Sequence, residues 1–121
     1  MEKANLEQLK SFTTADGSAI RELAGPSWTP ARNQSLAEAT LEPGGETAEH
    51  HHPRAEELYY FVAGQGRMRL GGREADVGAG DCVVIPPGTN HKLWNTGPGR
   101  LVLLCCCAPA YSDDDTVMTG G

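Results

Sequence analysis

Glycine or proline interrupts this chain every few residues, and the runs between them are short and β-prone. Fifteen Gly and eight Pro in 121 residues are too many for a helix bundle and suit short strands joined by tight turns. In order, the runs Gly17–Gly25, Asn33–Leu41, Thr47–His52, Leu58–Val62, Arg67–Leu70, Arg73–Val77, Cys82–Ile85, His91–Asn95 and Leu101–Cys107 read as strands. Gly71-Gly72 has the length of a two-residue hairpin turn. Only residues 1–17 carry a helical signal, with Asn5 as N-cap and Leu6, Leu9 and Phe12 at helical spacing. About eight to ten short strands without a long helix predict an all-β sandwich or barrel of the jelly-roll kind, closed so that few edges stay open.

The length of 121 residues is that of one domain with a single core. A formal net charge of -6 argues against nucleic acid or an anionic membrane as partner. No apolar run approaches the roughly 20 residues that cross a bilayer. Met1-Glu2-Lys3 opens no apolar signal segment, so the expected location is cytoplasmic. Of the cysteines Cys82, Cys105, Cys106 and Cys107, three are consecutive on one apolar strand, where neighbours face opposite sides and cannot easily bridge. They read as reduced thiols packed as small hydrophobic groups.

His50-His51-His52 is the chain's most unusual run. Alternate residues of a strand share a face, so His50 and His52 point one way and His51 the other. Two imidazoles side by side, with a carboxylate and a third imidazole brought to them, form a chelating set. Of the adjacent acids Glu56 and Glu57, only one can share that face.

Two spaced patterns extend the observation. Gly44, five residues, His50, one, His52, four, Glu57, six, Gly64 resembles the first signature of the cupin superfamily. Gly80, five, Pro86, one, Gly88, two, His91, three, Asn95 resembles the second, and fifteen residues separate the two, as in small single-domain cupins. The resemblance implies a double-stranded β-helix (jelly-roll) cupin barrel over residues 33–107, preceded by an N-terminal segment, 1–32, and followed by an acidic tail, 108–121, loose at its end. It also implies that His50, His52, Glu57 and His91 bind one divalent transition metal: Fe, Mn, Ni, Co, Cu or Zn, all of which suit three nitrogens and one oxygen. Asn95 either steadies the site or caps a turn.

With Glu57 inward, parity turns Tyr59 and Phe61 inward and Tyr60 and Val62 outward; with His91 inward, Leu93 faces in and Lys92 and Trp94 face out. Tyr59 is then the candidate catalytic hydroxyl of a mostly apolar pocket. Trp28, in a loop, is a pocket-mouth residue, a contact for a partner subunit or a loop anchor. The expected function is a metal-dependent enzyme, oxygenase in type, on a small organic substrate. The alternatives are a sugar-phosphate isomerase or epimerase, for which Arg32 and Arg67 are the candidate phosphate-binding residues, oxalate chemistry, and a non-catalytic metal-assisted binding module. The resemblance also suggests a homodimer, for which Tyr60, Val62 and Trp94 offer an apolar outer patch.

Overall fold

The computed structural model describes residues 1–121. It contains eleven strands: β1 (Phe12–Thr13), β2 (Ala19–Ala24), β3 (Ser35–Leu41), β4 (His50–His51), β5 (Glu56–Ala63), β6 (Gln65–Leu70), β7 (Arg73–Gly78), β8 (Cys82–Ile85), β9 (His91–Asn95), β10 (Leu101–Ala108) and β11 (Val117–Met118). They form two antiparallel sheets, in the orders β1-β2-β3-β10-β5-β8 and β11-β4-β9-β6-β7. The fold is the expected double-stranded β-helix, its inner faces packed on each other.

Parity within the strands is as the alternation requires. Along β5 the residues Glu57, Tyr59 and Phe61 are buried while Glu56, Leu58, Tyr60 and Val62 are exposed. Phe61, Ile85, Leu101 and Leu103 close the core with essentially no solvent contact. Gly71-Gly72 joins Leu70 to its partner Arg73 as a two-residue turn. Gly64 has φ +92°, and a Cβ there would run into the Arg100 carbonyl, so neither the backbone nor the space admits a side chain. Gly88, at φ +77°, donates its N–H to the His52 carbonyl and so ties the turn before β9 to the end of the histidine run.

Four expectations need correction. The N-terminal helix is a single 3-10 turn, Leu6–Gln8, capped by Asn5; one turn cannot use the wider spacing of Leu9 and Phe12. The strand expected over Thr47–His52 reduces to His50–His51. The Thr47 hydroxyl itself accepts the Leu93 N–H, where a regular ladder would use a carbonyl. The acidic end is not loose: Asp113–Asp115 forms a 3-10 turn and Val117–Met118 pairs with His51 and His50. Trp94 lies on the opposite sheet from Tyr60 and Val62, lying under Arg69 and Lys92, so it is not part of their patch. Lys92 does point out of the barrel, yet it is buried, donating to the Thr47 and Gly121 carbonyls.

Candidate metal centre

His50, His52, Glu57 and His91 come from three strands and the turn after β4, and the structure brings them to one point. His50 pairs directly with His91 across β4 and β9. The ring nitrogens of His50, His52 and His91 lie within 4.8 Å of one another. Glu57 Oε1 is 3.3 Å from His52 Nε2 and 3.5 Å from His91 Nε2. Two ligand atoms about 2.1 Å from an ion and at right angles lie about 3 Å apart, so these separations are close to a coordination shell. All four side chains are buried.

Each ring is held through its other nitrogen. Nδ1 of His50 meets the Ala48 carbonyl at 2.9 Å, and Nδ1 of His91 the Thr89 carbonyl at 3.0 Å. Nδ1 of His52 meets the Asp115 carbonyl at 3.1 Å and the Thr116 hydroxyl at 3.2 Å. Carbonyl acceptors place the proton on Nδ1 and leave Nε2 of each ring a free lone pair, the form a metal takes. Glu57 is steadied in the same way, because the Cys107 thiol donates to its Oε2 at 3.2 Å. What remains is telling: Glu57 Oε1 and His91 Nε2 are buried without a hydrogen-bond partner. Two such atoms, facing each other among imidazoles, are costly unless something binds there, and an ion fits the donor set.

The electrostatics follow from the same contacts. Burial pushes the Glu57 carboxyl up, but the imidazoles of His52 and His91 outweigh it and hold the group down to about 2. His52 is raised: burial lowers it, and the neighbouring Glu57 charge more than compensates. His50 is lowered by burial and by His91. Tyr59, packed edge-on against the His91 ring at 5.9 Å between centroids, is raised well above its ordinary value by burial and by the Glu57 charge. It therefore keeps its proton and can donate a hydrogen bond.

His50, His52 and Glu57, though not His91, line a cavity of about 70 Å³, room for roughly five waters when each needs ~10–15 Å³. Its walls mix apolar side chains, Leu41, Leu93 and Leu103 among them, with hydroxyls and carboxylates. It adjoins a wider vestibule of about 460 Å³, which shares Phe12, Glu22 and Tyr111 with it and is also bounded by Asp113. Several expected residues lie elsewhere. Arg32 donates to nearby loop carbonyls, and Arg67 pairs with Glu74 and Asp76 on the outer surface. Trp28 is half exposed and lines neither cavity. Asn95 staples a turn, donating to the Leu41 and Gly99 carbonyls and accepting from Gly97 N–H. His51 faces away and is bound to Asn90.

Sequence reasoning missed four contributors. Asp16 places Oδ2 3.9 Å from His50 Nε2. Cys107 orients Glu57. Asp115 and Thr116 hold His52, and the Asp115 carboxylate also caps the N–H groups of Arg54 and Ala55.

Residues 37–107 match the family model described as a cupin domain. The chain belongs to the cupin family. This cupin is 43% identical over 114 residues to the uncharacterized protein MJ1618 of Methanocaldococcus jannaschii, covering 94% of this chain and 91% of that one. It is 33% identical over 69 residues to the oxalate-binding protein of Thermotoga maritima, covering 57% of each. Among solved structures, Streptomyces PAC13 with uridine superposes with a TM-score of 0.81 at 21% identity, over 98% of this cupin and 91% of that chain. At that identity the likeness is one of fold.

Proposed function

We propose that this cupin is a divalent-metal-dependent enzyme, oxygenase in type, acting on a small organic molecule in the barrel. The observation that carries the reading is the pair of buried, unpartnered atoms, Glu57 Oε1 and His91 Nε2, where the histidine Nε2 lone pairs converge. His50, His52, Glu57 and His91 would hold the ion, with Fe, Mn, Ni, Co, Cu and Zn all compatible with their donor atoms. Bound there, the ion would polarise a substrate and dioxygen in the positions that four protein donors leave open. The protein's own part is orientation and exclusion of water. Leu41, Leu93 and Leu103 keep the reacting groups dry; Cys107 and the backbone carbonyls hold the donors in place. Tyr59, buried beside the His91 ring, is the hydroxyl that would donate a hydrogen bond to a reacting oxygen. A sugar-phosphate substrate finds no support, since no Lys or Arg lines the cavity.

Elemental analysis of protein purified without added metal comes first, followed by oxygen-uptake screening of small organic compounds before and after chelation. Uptake that disappears with the metal and returns on reloading is expected. Turnover undiminished in metal-free protein would sink the reading, and binding of a compound without oxygen consumption would favour a non-catalytic binding module instead.

Two further readings go with it. Leu58, Tyr60 and Val62 of β5 with Val84 of β8 expose an apolar outer face, which supports a homodimer; sedimentation as a monomer at micromolar concentration would remove that proposal. Four unpaired cysteines support a reducing, cytoplasmic setting.

A further inference from the structure

Of the two cavity acids that the ligand set does not use, Asp16 and Glu22, Asp16 is the one beside a ligand ring, that of His50. It lies in the turn between β1 and β2, and three donors converge on one of its oxygens. Oδ1 accepts from the Thr14 hydroxyl at 2.7 Å, the Ser18 N–H at 2.9 Å and the Ser18 hydroxyl at 2.7 Å. Three donors saturate Oδ1 and fix the plane of the carboxylate. Oδ2 accepts nothing from these groups and is turned into the cavity, 3.9 Å from His50 Nε2. That is the side of His50 on which an ion would sit, so Oδ2 would lie close to a molecule bound to it.

The charge along the access path adds a second constraint. Cavity and vestibule are lined by the carboxylates of Asp16, Glu22, Glu57 and Asp113, and by no Lys or Arg. An ion of charge +2 with Glu57 leaves one net positive charge at the floor, which disfavours an amine there. Asp16 beside the floor, with Glu22 and Asp113 above it, disfavours a dianion on the way in and at the open position. Apart from His50, His52 and the thiols of Cys105 and Cys107, the remaining polar groups of the cavity lining are hydroxyls, those of Thr14, Ser18, Ser35, Thr47, Tyr59, Tyr111 and Thr116. A carboxylate oxygen that lacks a donor, next to a cation that takes oxygen ligands, is complementary to a hydroxyl that does both at once.

We propose that Asp16 is a substrate-binding residue that selects an uncharged, hydroxyl-bearing molecule over a dicarboxylate such as oxalate. The substrate hydroxyl would donate to Oδ2 of Asp16 while its oxygen faces the ion. This rests on the metal-dependent reading above and names the substrate class for the same pocket.

Asp16→Asn is the informative variant. The asparagine oxygen can keep all three donors that hold Oδ1, and only the free acceptor Oδ2 becomes an N–H donor. The turn should therefore persist, with an unchanged melting temperature. Native and variant proteins are loaded with Co(II), the metal content is measured, and the visible spectrum is titrated with glycerol and, separately, with oxalate. Equal cobalt content is expected, with glycerol weakened tenfold or more in Asp16→Asn and oxalate tightened tenfold or more. Equal cobalt content with both titrations within twofold of native would overturn the inference and leave the metal reading standing. A lower melting temperature with unmoved selectivity would make Asp16 a turn staple and overturn it equally. Failure of both proteins to take up cobalt would overturn the metal reading, and the assignment of Asp16 with it.

Discussion

Replacing Glu57 by Gln tests the electrostatics of the site without any ligand. The side chains are isosteric: the Gln carbonyl can still accept the Cys107 thiol, and its amide faces His52 and His91, so the change removes a charge and little else. In the metal-free protein, Glu57 is held at about 2 against an ordinary 4.5. At ~1.4 kcal/mol per unit, its neighbours favour the ionised form by about 3 kcal/mol. A depressed carboxylate contributes stability above its unfolded pKa and loses it as pH falls through the folded one. The stability difference, native minus Glu57→Gln, should therefore grow by ~1.4 kcal/mol per pH unit between about 2 and 4.5, then level at about 3 kcal/mol. His52 bounds the plateau on the other side. Its folded pKa is raised by Glu57, and that contribution is complete below its unfolded value and lost as pH rises through the folded one, so the difference should decline again above 6.5. Urea denaturation followed by circular dichroism, in chelator and at half-unit pH steps, measures the curve. A difference that stays constant from pH 3 to 8 would refute the assignment of Glu57 as a buried, ionised partner of the two imidazoles.

Cys107→Ala should leave Glu57 Oε2 buried without its donor, costing about 1–3 kcal/mol of metal-free stability. Competition with a chromogenic chelator should show metal affinity about tenfold weaker, with Cys107→Ser restoring most of it. Deleting residues 112–121 removes the acceptors of His52 Nδ1 and the caps on Arg54 and Ala55. The barrel should remain folded by circular dichroism while metal affinity falls by about 10- to 100-fold in the same competition assay. Phe61→Ala empties a fully buried position of the inner face and should cost about 3–5 kcal/mol in urea denaturation.

What the sequence made legible and what it hid divide along a physical line. Parity is a property of one strand, so the burial of His50, Glu57, Tyr59, Phe61, His91 and Leu93 could be read from alternation once one residue of each strand was oriented. The contacts that finish the site join residues far apart in the chain: Asp16 to His50, Cys107 to Glu57, Asp115 to His52. Each depends on register between strands or on the path of a loop, and alternation carries neither. Cys107 meets Glu57 only because β10 pairs with β5 in one register, after an irregularity between Val102 and Leu103; a shift by one residue would have turned Cys106 to the carboxylate. Composition misled in a related way. A run of acids after the last strand reads as solvated tail, yet Asp115 spends its carboxylate on two backbone N–H groups beside the histidines and its carbonyl on His52. A local signal for this did exist, since Ser112 caps the turn that Asp113–Asp115 forms, and a capped turn is a segment built to stay in place. The histidine run thus supplies two of the four donors; His52 is oriented from the C-terminal end of the chain, whereas His50 and His91 are held by the Ala48 and Thr89 carbonyls two residues before them. Asp16 in the turn before β2 is where the proposed specificity of this cupin is to be tested, and Asp115 in the turn before β11 is where the orientation of His52 is.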